Sequence, residues 1–238
     1  MKTQLTPVAE ATPVRKSGWQ MWVPCIAMAA CSWLAFVDRQ VLAVLSPTIL
    51  KDTGLSAKDY GTAFSFFFYV YAAANLIWGS LLDYLGLQFG MVAAVAVWSL
   101  ASASHSLMSG FWGFAFARGL LGLGEGATFP GGLRTAVESL PEKLRARGIA
   151  TSFSGGTIGA IVTGFIVLPF ASPLLWRRAF LLSGFLGIVW ILLWLAVGRP
   201  PFLPKTDRKL KKFALPNPFE RRFWALVFSY ALDRKSVV

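Results

Sequence analysis

Six long apolar blocks decide most of what this chain can become. They run over residues 19–50, 61–82, 89–107, 111–136, 149–170 and 179–197, the first and fourth interrupted by charge. A helix rises about 1.5 Å per residue and the bilayer's hydrocarbon core is about 30 Å thick, so roughly 20 mostly apolar residues cross it. In lipid the backbone must satisfy its own hydrogen bonds, which leaves helices or the strands of a closed barrel. Barrel strands alternate polar and apolar over about ten residues, and these blocks do not alternate. The pattern predicts an all-α membrane protein with six transmembrane helices. Charged residues make up 14% of the chain, against about a quarter in soluble domains, and the deficit falls in these blocks.

The formal net charge of +12 would suit nucleic acid, but its placement argues for topology instead. With the N-terminus inside, the cytoplasmic segments gather Lys2, Arg15, Lys16, Lys143, Arg145, Arg147, Arg199, Lys205, Arg208, Lys209, Lys211, Lys212, Arg221 and Arg222. The opposite side holds Lys51, Lys58, Arg177 and Arg178. The positive-inside rule then predicts a multi-pass protein of the cell (inner) membrane with a cytoplasmic N-terminus and lipid as its surroundings. Nucleic acid is not expected as a partner.

Along the chain, residues 1–18 read as a cytoplasmic tail and 19–197 as the six-helix domain. Residues 198–222, rich in Pro, Lys and Arg, read as a central cytoplasmic loop. Residues 223–232 are apolar but too short to span, as at the start of a seventh helix. The final string Asp233-Arg234-Lys235-Ser236-Val237-Val238 resembles a translated sequencing adapter, so 233–238 is expected to be non-native, with a C-terminal half of the same polypeptide missing. Pro47 and Pro130 are expected to mark kinks or breaks. Cys25 and Cys31 share the first span and read as small apolar fillers that cannot pair. His105 reads as an interfacial residue, and the glycines around 119–126 and 155–159 as sites of close helix approach.

A weak repeat appears at an offset of 87 residues. It places Asp38 on Glu125, Thr48 on Thr135, and Gly61-x-Ala63-x-Ser65-Phe66 on Gly148-x-Ala150-x-Ser152-Phe153. Three-plus-three repeats are a recurrent transporter architecture. Asp38, Arg39, Arg118 and Glu125 interrupt otherwise apolar spans, each at something like 2.5–3.5 kcal/mol on insertion scales. Such a set exceeds what helix registration needs. The four are expected to meet a shared, enclosed aqueous path. Guanidinium binds a carboxylate bidentately and stays charged, while low dielectric disfavours the ionised form of a carboxyl group. Together they describe binding of an organic anion coupled to protonation. A metal or catalytic site is not expected, because no ligand cluster or nucleophile–base arrangement accompanies them, and the chain does not read as an enzyme.

The string Phe36-Val37-Asp38-Arg39, the segment Gly61-x-x-x-Ser65, the loop Gly79-Ser80-Leu81-Leu82-Asp83-Tyr84-Leu85-Gly86 and the stretch Ala117-Arg118-Gly119-x-x-Gly122-x-x-Glu125-x-x-x-x-Pro130 resemble the anion:cation symporter branch of the major facilitator superfamily. Within it, the loop is most similar to that of hexuronate and other sugar-acid carriers. The resemblance implies the N-terminal half of a secondary active transporter working by alternating access between two six-helix halves. It implies symport of a small organic anion, a hexuronate or aldonate, with a proton as coupling ion and sodium the alternative. By residue match, Arg39 and Tyr71 would bind substrate, Asp38 and Glu125 would carry the proton, and Arg118 would support coupling. Asp83 would belong to the cytoplasmic gate, bonding a helix N-terminus, Arg145 or Arg147. The chain departs from the family at Tyr84, Leu87 and Gln88, where basic residues are usual, and at Phe36 and Gly156, where some relatives carry polar side chains. An exporter of drugs or metabolites and a non-transporting receptor on the same scaffold are the alternatives. Arg39 counts against an exporter of cations, and the acid–base set against a receptor.

Overall fold

The computed structural model describes residues 18–204, and the segments 1–17 and 205–238 lie outside it. The readings of the tail, most of the central loop, the seventh helix and the terminal string therefore fall beyond the described residues. Helices account for nearly everything that is described: α1 Val23–Thr53, α2 Ala57–Leu85, α3 Leu87–Ser104, α4 Phe111–Glu125, α5 Thr128–Ser139, α6 Glu142–Val167 and α7 Trp176–Val197, with no strand among the described residues. Short 3-10 turns, His105–Leu107 and Leu168–Phe170, extend α3 and α6.

Five of these helices are long and apolar enough to cross a membrane by themselves. The fourth apolar block is divided between two helices, α4 and α5. Their break falls at Gly126 and Ala127 rather than at Pro130. Pro130 sits in the first turn of α5, where a missing N–H removes no intrahelical bond. Pro47 likewise leaves α1 continuous. The break falls immediately after Glu125, so the carboxylate sits at a helix end against the neighbouring helices.

Packing follows the repeat seen in the sequence. The most extensive contacts join α1 to α6 and α2 to α4, and α3 to α7 comes next. If α1, α2 and α3 correspond to α4–α5, α6 and α7, the first two pairs are images of each other and the third maps onto itself. Burial obeys the same relation. The central apolar window of α1 is 56% buried and that of α3 50%, but only 22% in α2 and 28% in α6. Equivalent helices α2 and α6 thus both lie on the outside of the bundle. Both expose large apolar side chains along their length, as at Phe68, Leu76, Ile161 and Phe165, which suits a lipid or protein environment rather than water.

Two glycines make the symmetric contacts possible. A Cβ on Gly122 of α4 would stand 2.5 Å from the Phe67 carbonyl oxygen of α2, and one on Gly155 of α6 would collide with the Ala29 carbonyl oxygen of α1. Small residues at these points let backbones touch, the usual basis of helix association in lipid. Cys25 and Cys31 are buried and unpaired.

His105 departs from the expectation for an interfacial residue. It is fully buried, its Nδ1 2.7 Å from the Ala101 carbonyl and its ring stacked 5.1 Å from Phe180. The α3–α7 contact covers it, and that contact has no local signature.

Candidate functional site

The four charged residues of the spans occupy three separate environments. That corrects the expectation of one shared path. Arg39, on α1, lines a cavity of about 280 Å³ together with Ser32, Ala35, Phe36, Tyr71, Thr128, Phe129, Phe153, Gly156 and Thr157. α1, α2, α5 and α6 supply this lining, two helices from each repeat.

Glu125 lies behind Arg39, away from the cavity. Arg39 donates to its Oε2 from Nε at 2.9 Å and from Nη2 at 2.7 Å. Both bonds fall on one oxygen, and Oε1 has no hydrogen-bond partner among the described residues. The Arg39 side chain is 24% exposed, but Glu125 is at 0%. The guanidinium carbon is held between rings, 5.0 Å from the Tyr71 centroid, 5.1 Å from Phe67 and 5.3 Å from Phe36. A fork with donors to spare faces the cavity, and an acid with one fixed charge for a partner stands behind it.

Asp38, the next residue, points into the bundle. Trp98 Nε1 donates to Oδ2 at 2.6 Å and Ser102 Oγ to Oδ1 at 2.6 Å, while Ser183 Oγ also donates to Oδ1. Trp98 and Ser102 are one turn apart on α3, and Ser183 comes from α7. Asp38 is 2% exposed, so three neutral donors satisfy a carboxylate that water does not reach. Sequence reasoning missed all three donors. The only trace of them was hydroxyls and an indole within apolar blocks, which are common there for other reasons.

Arg118 stands in the third environment, 1% exposed. Its guanidinium carbon is 4.1 Å from the Phe64 centroid and 5.2 Å from Phe67. Nε, Nη1 and Nη2 have no hydrogen-bond partner among the described residues. Aromatic faces carry negative partial charge and hold such a cation, worth about 0.5–2 kcal/mol per contact depending on desolvation. Phe67 thus serves two guanidiniums, those of Arg39 and Arg118. Tyr71, stacked on Phe67 at 5.4 Å, continues the aromatic column to the cavity.

At the end of the bundle where α2 closes, Asp83 bonds neither Arg145 nor Arg147. Its partner is Arg134 of α5, whose Nη1 donates to Oδ1 at 3.0 Å and whose Nε donates to Glu138 at 2.5 Å. The two basic residues favoured by the sequence lie on the first turns of α6, whereas α5 passes beside α2. The Arg134-x-x-x-Glu138 spacing, which puts the two on one helix face, was the overlooked signal. At the other end, Asp52 accepts from Trp176 Nε1 at 3.1 Å and Arg177 Nη1 at 2.6 Å, fastening α1 to α7.

The described residues form a helical bundle with an internal repeat and a cavity lined from both repeats. The family model of the major facilitator superfamily matches residues 28–235, and the chain belongs to that superfamily. It is 26% identical over 188 residues to the hexuronate transporter of Escherichia coli (strain K12), covering 79% of this chain and 44% of that protein. To the galacturonate transporter of Dickeya chrysanthemi it is 29% identical, over 74% of this chain and 50% of the relative. To the D-galactonate transporter of Escherichia coli O6:H1 it is 29% identical, over 93% and 55%. The chain therefore spans about half the length of these relatives, and it matches their N-terminal half. Among solved structures, a bacterial homologue of the human lysosomal transporter Spinster, inward-facing and unoccupied, superposes with a TM-score of 0.67 at 19% identity. That match covers 91% of this chain and 50% of the other, and it concerns the fold alone.

Proposed function

We propose that this chain is the N-terminal half of a proton-coupled symporter of an organic anion, a sugar acid by the names of its relatives, working by alternating access. The observation that carries the reading is the Arg39–Glu125 pair at the back of the cavity. An incoming carboxylate reaches Arg39 from the open side and competes for its fork. Glu125, fully buried, then loses the charge that compensates it. An uncompensated buried carboxylate is far more costly than a neutral acid, so anion binding draws a proton onto Glu125. Anion and proton enter together with no net charge added to the site. When the site opens to the other side, departure of the anion returns Arg39 to Glu125 and expels the proton.

Tyr71 orients Arg39 and meets the substrate beside it. Arg118, whose guanidinium has no hydrogen-bond partner among the described residues, supplies the field that biases both acids. Asp38 is the second proton carrier, reached when α3 and α7 shift and loosen its three donors. The Asp83–Arg134 bond ties α2 to α5 at the cytoplasmic gate. The protein resides in the inner membrane with its N-terminus in the cytoplasm, and a second six-helix half completes the cavity. No catalytic chemistry is assigned to it.

The full-length carrier in proteoliposomes, assayed for uptake at two external pH values, tests this reading. Arg39→Ala is expected to abolish organic-anion uptake, and Glu125→Gln to remove its pH dependence. Unchanged transport in either variant removes the role given to that residue, and sodium-driven uptake indifferent to pH replaces the proton as coupling ion.

A further inference from the structure

The cavity beside Arg39 has two unlike walls. One end carries the guanidinium and Tyr71. The body is bounded by three phenylalanine rings, Phe36, Phe129 and Phe153, the last two stacked at 5.4 Å with 25° between their planes. The hydroxyls of Ser32, Thr128 and Thr157 belong to the lining as well, beside these rings rather than within the stacked pair. Ser32 lines the cavity, but its Oγ donates to the Ser152 carbonyl at 2.7 Å and has spent its proton.

Phe36 is held in place by the residue opposite. A Cβ on Gly156 would lie 2.6 Å from Phe36 Cε2 and 2.8 Å from Cδ2. One edge of the ring therefore fills the space into which any side chain at 156 would project. The same ring has its centroid 5.3 Å from the Arg39 guanidinium carbon. A carboxylate bound to Arg39 places the next carbons of its body against Phe36.

We infer that this aromatic wall makes the site select a ring-closed uronic acid over an open-chain aldonic acid. The inference rests on the organic-anion reading above. A pyranose carries C–H groups together on one face, and that face packs on an aromatic ring without burying a hydroxyl. An open-chain aldonate of the same size carries hydroxyls along its whole length, so whichever side meets the phenylalanines loses hydration with nothing in exchange. Phe36 and Gly156 act as one specificity element: the glycine exists to seat the ring.

The test is competition for uptake by the full-length carrier in proteoliposomes, comparing kcat/KM for galacturonate and galactonate. The wild type is expected to prefer galacturonate by roughly tenfold or more, the range that one apolar contact surface commands. Phe36→Ala and Gly156→Ala, the second of which displaces the ring, are each expected to bring the ratio near unity, and Phe36→Tyr to keep it. The ratio is internal to each preparation, so altered expression does not mimic the effect. Should Phe36→Ala fail to insert, Phe36→Leu and Gly156→Ala decide the question. Equal or better use of galactonate by the wild type overturns the proposal, as does a preference that survives loss or displacement of the ring. Failure of the inserted carrier to take up either anion overturns the organic-anion reading itself, and the selectivity proposal with it.

Discussion

Asp38 and Glu125 occupy equivalent positions in the two halves of the repeat, yet the structure treats them in opposite ways. Asp38 is held by three neutral donors from α3 and α7. Among the described residues Glu125 has a single hydrogen-bonding partner, Arg39, and an oxygen with none. Neutral donors fix a carboxylate without giving anything else a reason to displace them. A guanidinium at a cavity wall can be drawn away by any competing anion. Equal placement in the repeat therefore does not give equal work: Glu125 exchanges its partner whenever an anion competes for Arg39, whereas Asp38 keeps its donors until α3 and α7 shift.

The difference should be largest in stability. Asp38→Asn keeps an oxygen for Trp98 but turns an amide NH₂ toward Ser102 and Ser183, whose hydroxyls must rotate to accept and so lose the acceptor for their own protons. Loss of roughly 2–3 kcal/mol is expected, seen as an earlier thermal midpoint of the purified carrier in detergent. Glu125→Gln keeps an acceptor for Arg39, which still reaches the cavity, and leaves one NH₂ without an acceptor, so a smaller loss of about 1 kcal/mol is expected. Equal losses in the two variants would break the comparison. Phe67 should come next, because both guanidiniums lean on its ring. Phe67→Leu is expected to cost about 1–2 kcal/mol and to weaken anion affinity, whereas Phe67→Tyr restores both, as calorimetry and binding titrations would show. The smallest effect is expected at Asp83, whose side chain is 50% exposed. Asp83→Asn should change stability by no more than about 1 kcal/mol, and less at high salt, where exposed ion pairs are screened.

The sequence disclosed charges that lipid would not tolerate idle, and so it led to Arg39, Glu125, Asp38 and Arg118. It disclosed the spans by length and apolarity, and the repeat by the 87-residue offset. It did not disclose who answers each charge. Trp98, Ser102 and Ser183 come from two helices that meet only in the folded bundle, and none of them is costly enough in lipid to stand out. Arg134 hid for a related reason, since an arginine near the end of a span reads as a topology signal. His105 was misplaced because a polar residue at a span's end suits a headgroup as well as a sealed α3–α7 contact. The break after Glu125 was expected at Pro130, but proline is harmless in a first turn and the glycine-rich segment gave way instead.

Proton uptake on anion binding tests the exchange at Glu125 most directly. Purified full-length carrier, mixed with galacturonate in weakly buffered solution containing a pH indicator, should turn the medium alkaline, approaching one proton taken up per anion bound. Glu125→Gln should bind the anion with no such change, and Asp38→Asn, where it folds, should retain it. Saturable binding to the wild type with no proton taken up would contradict the account, because Arg39 would then have met the anion without releasing the acid behind it.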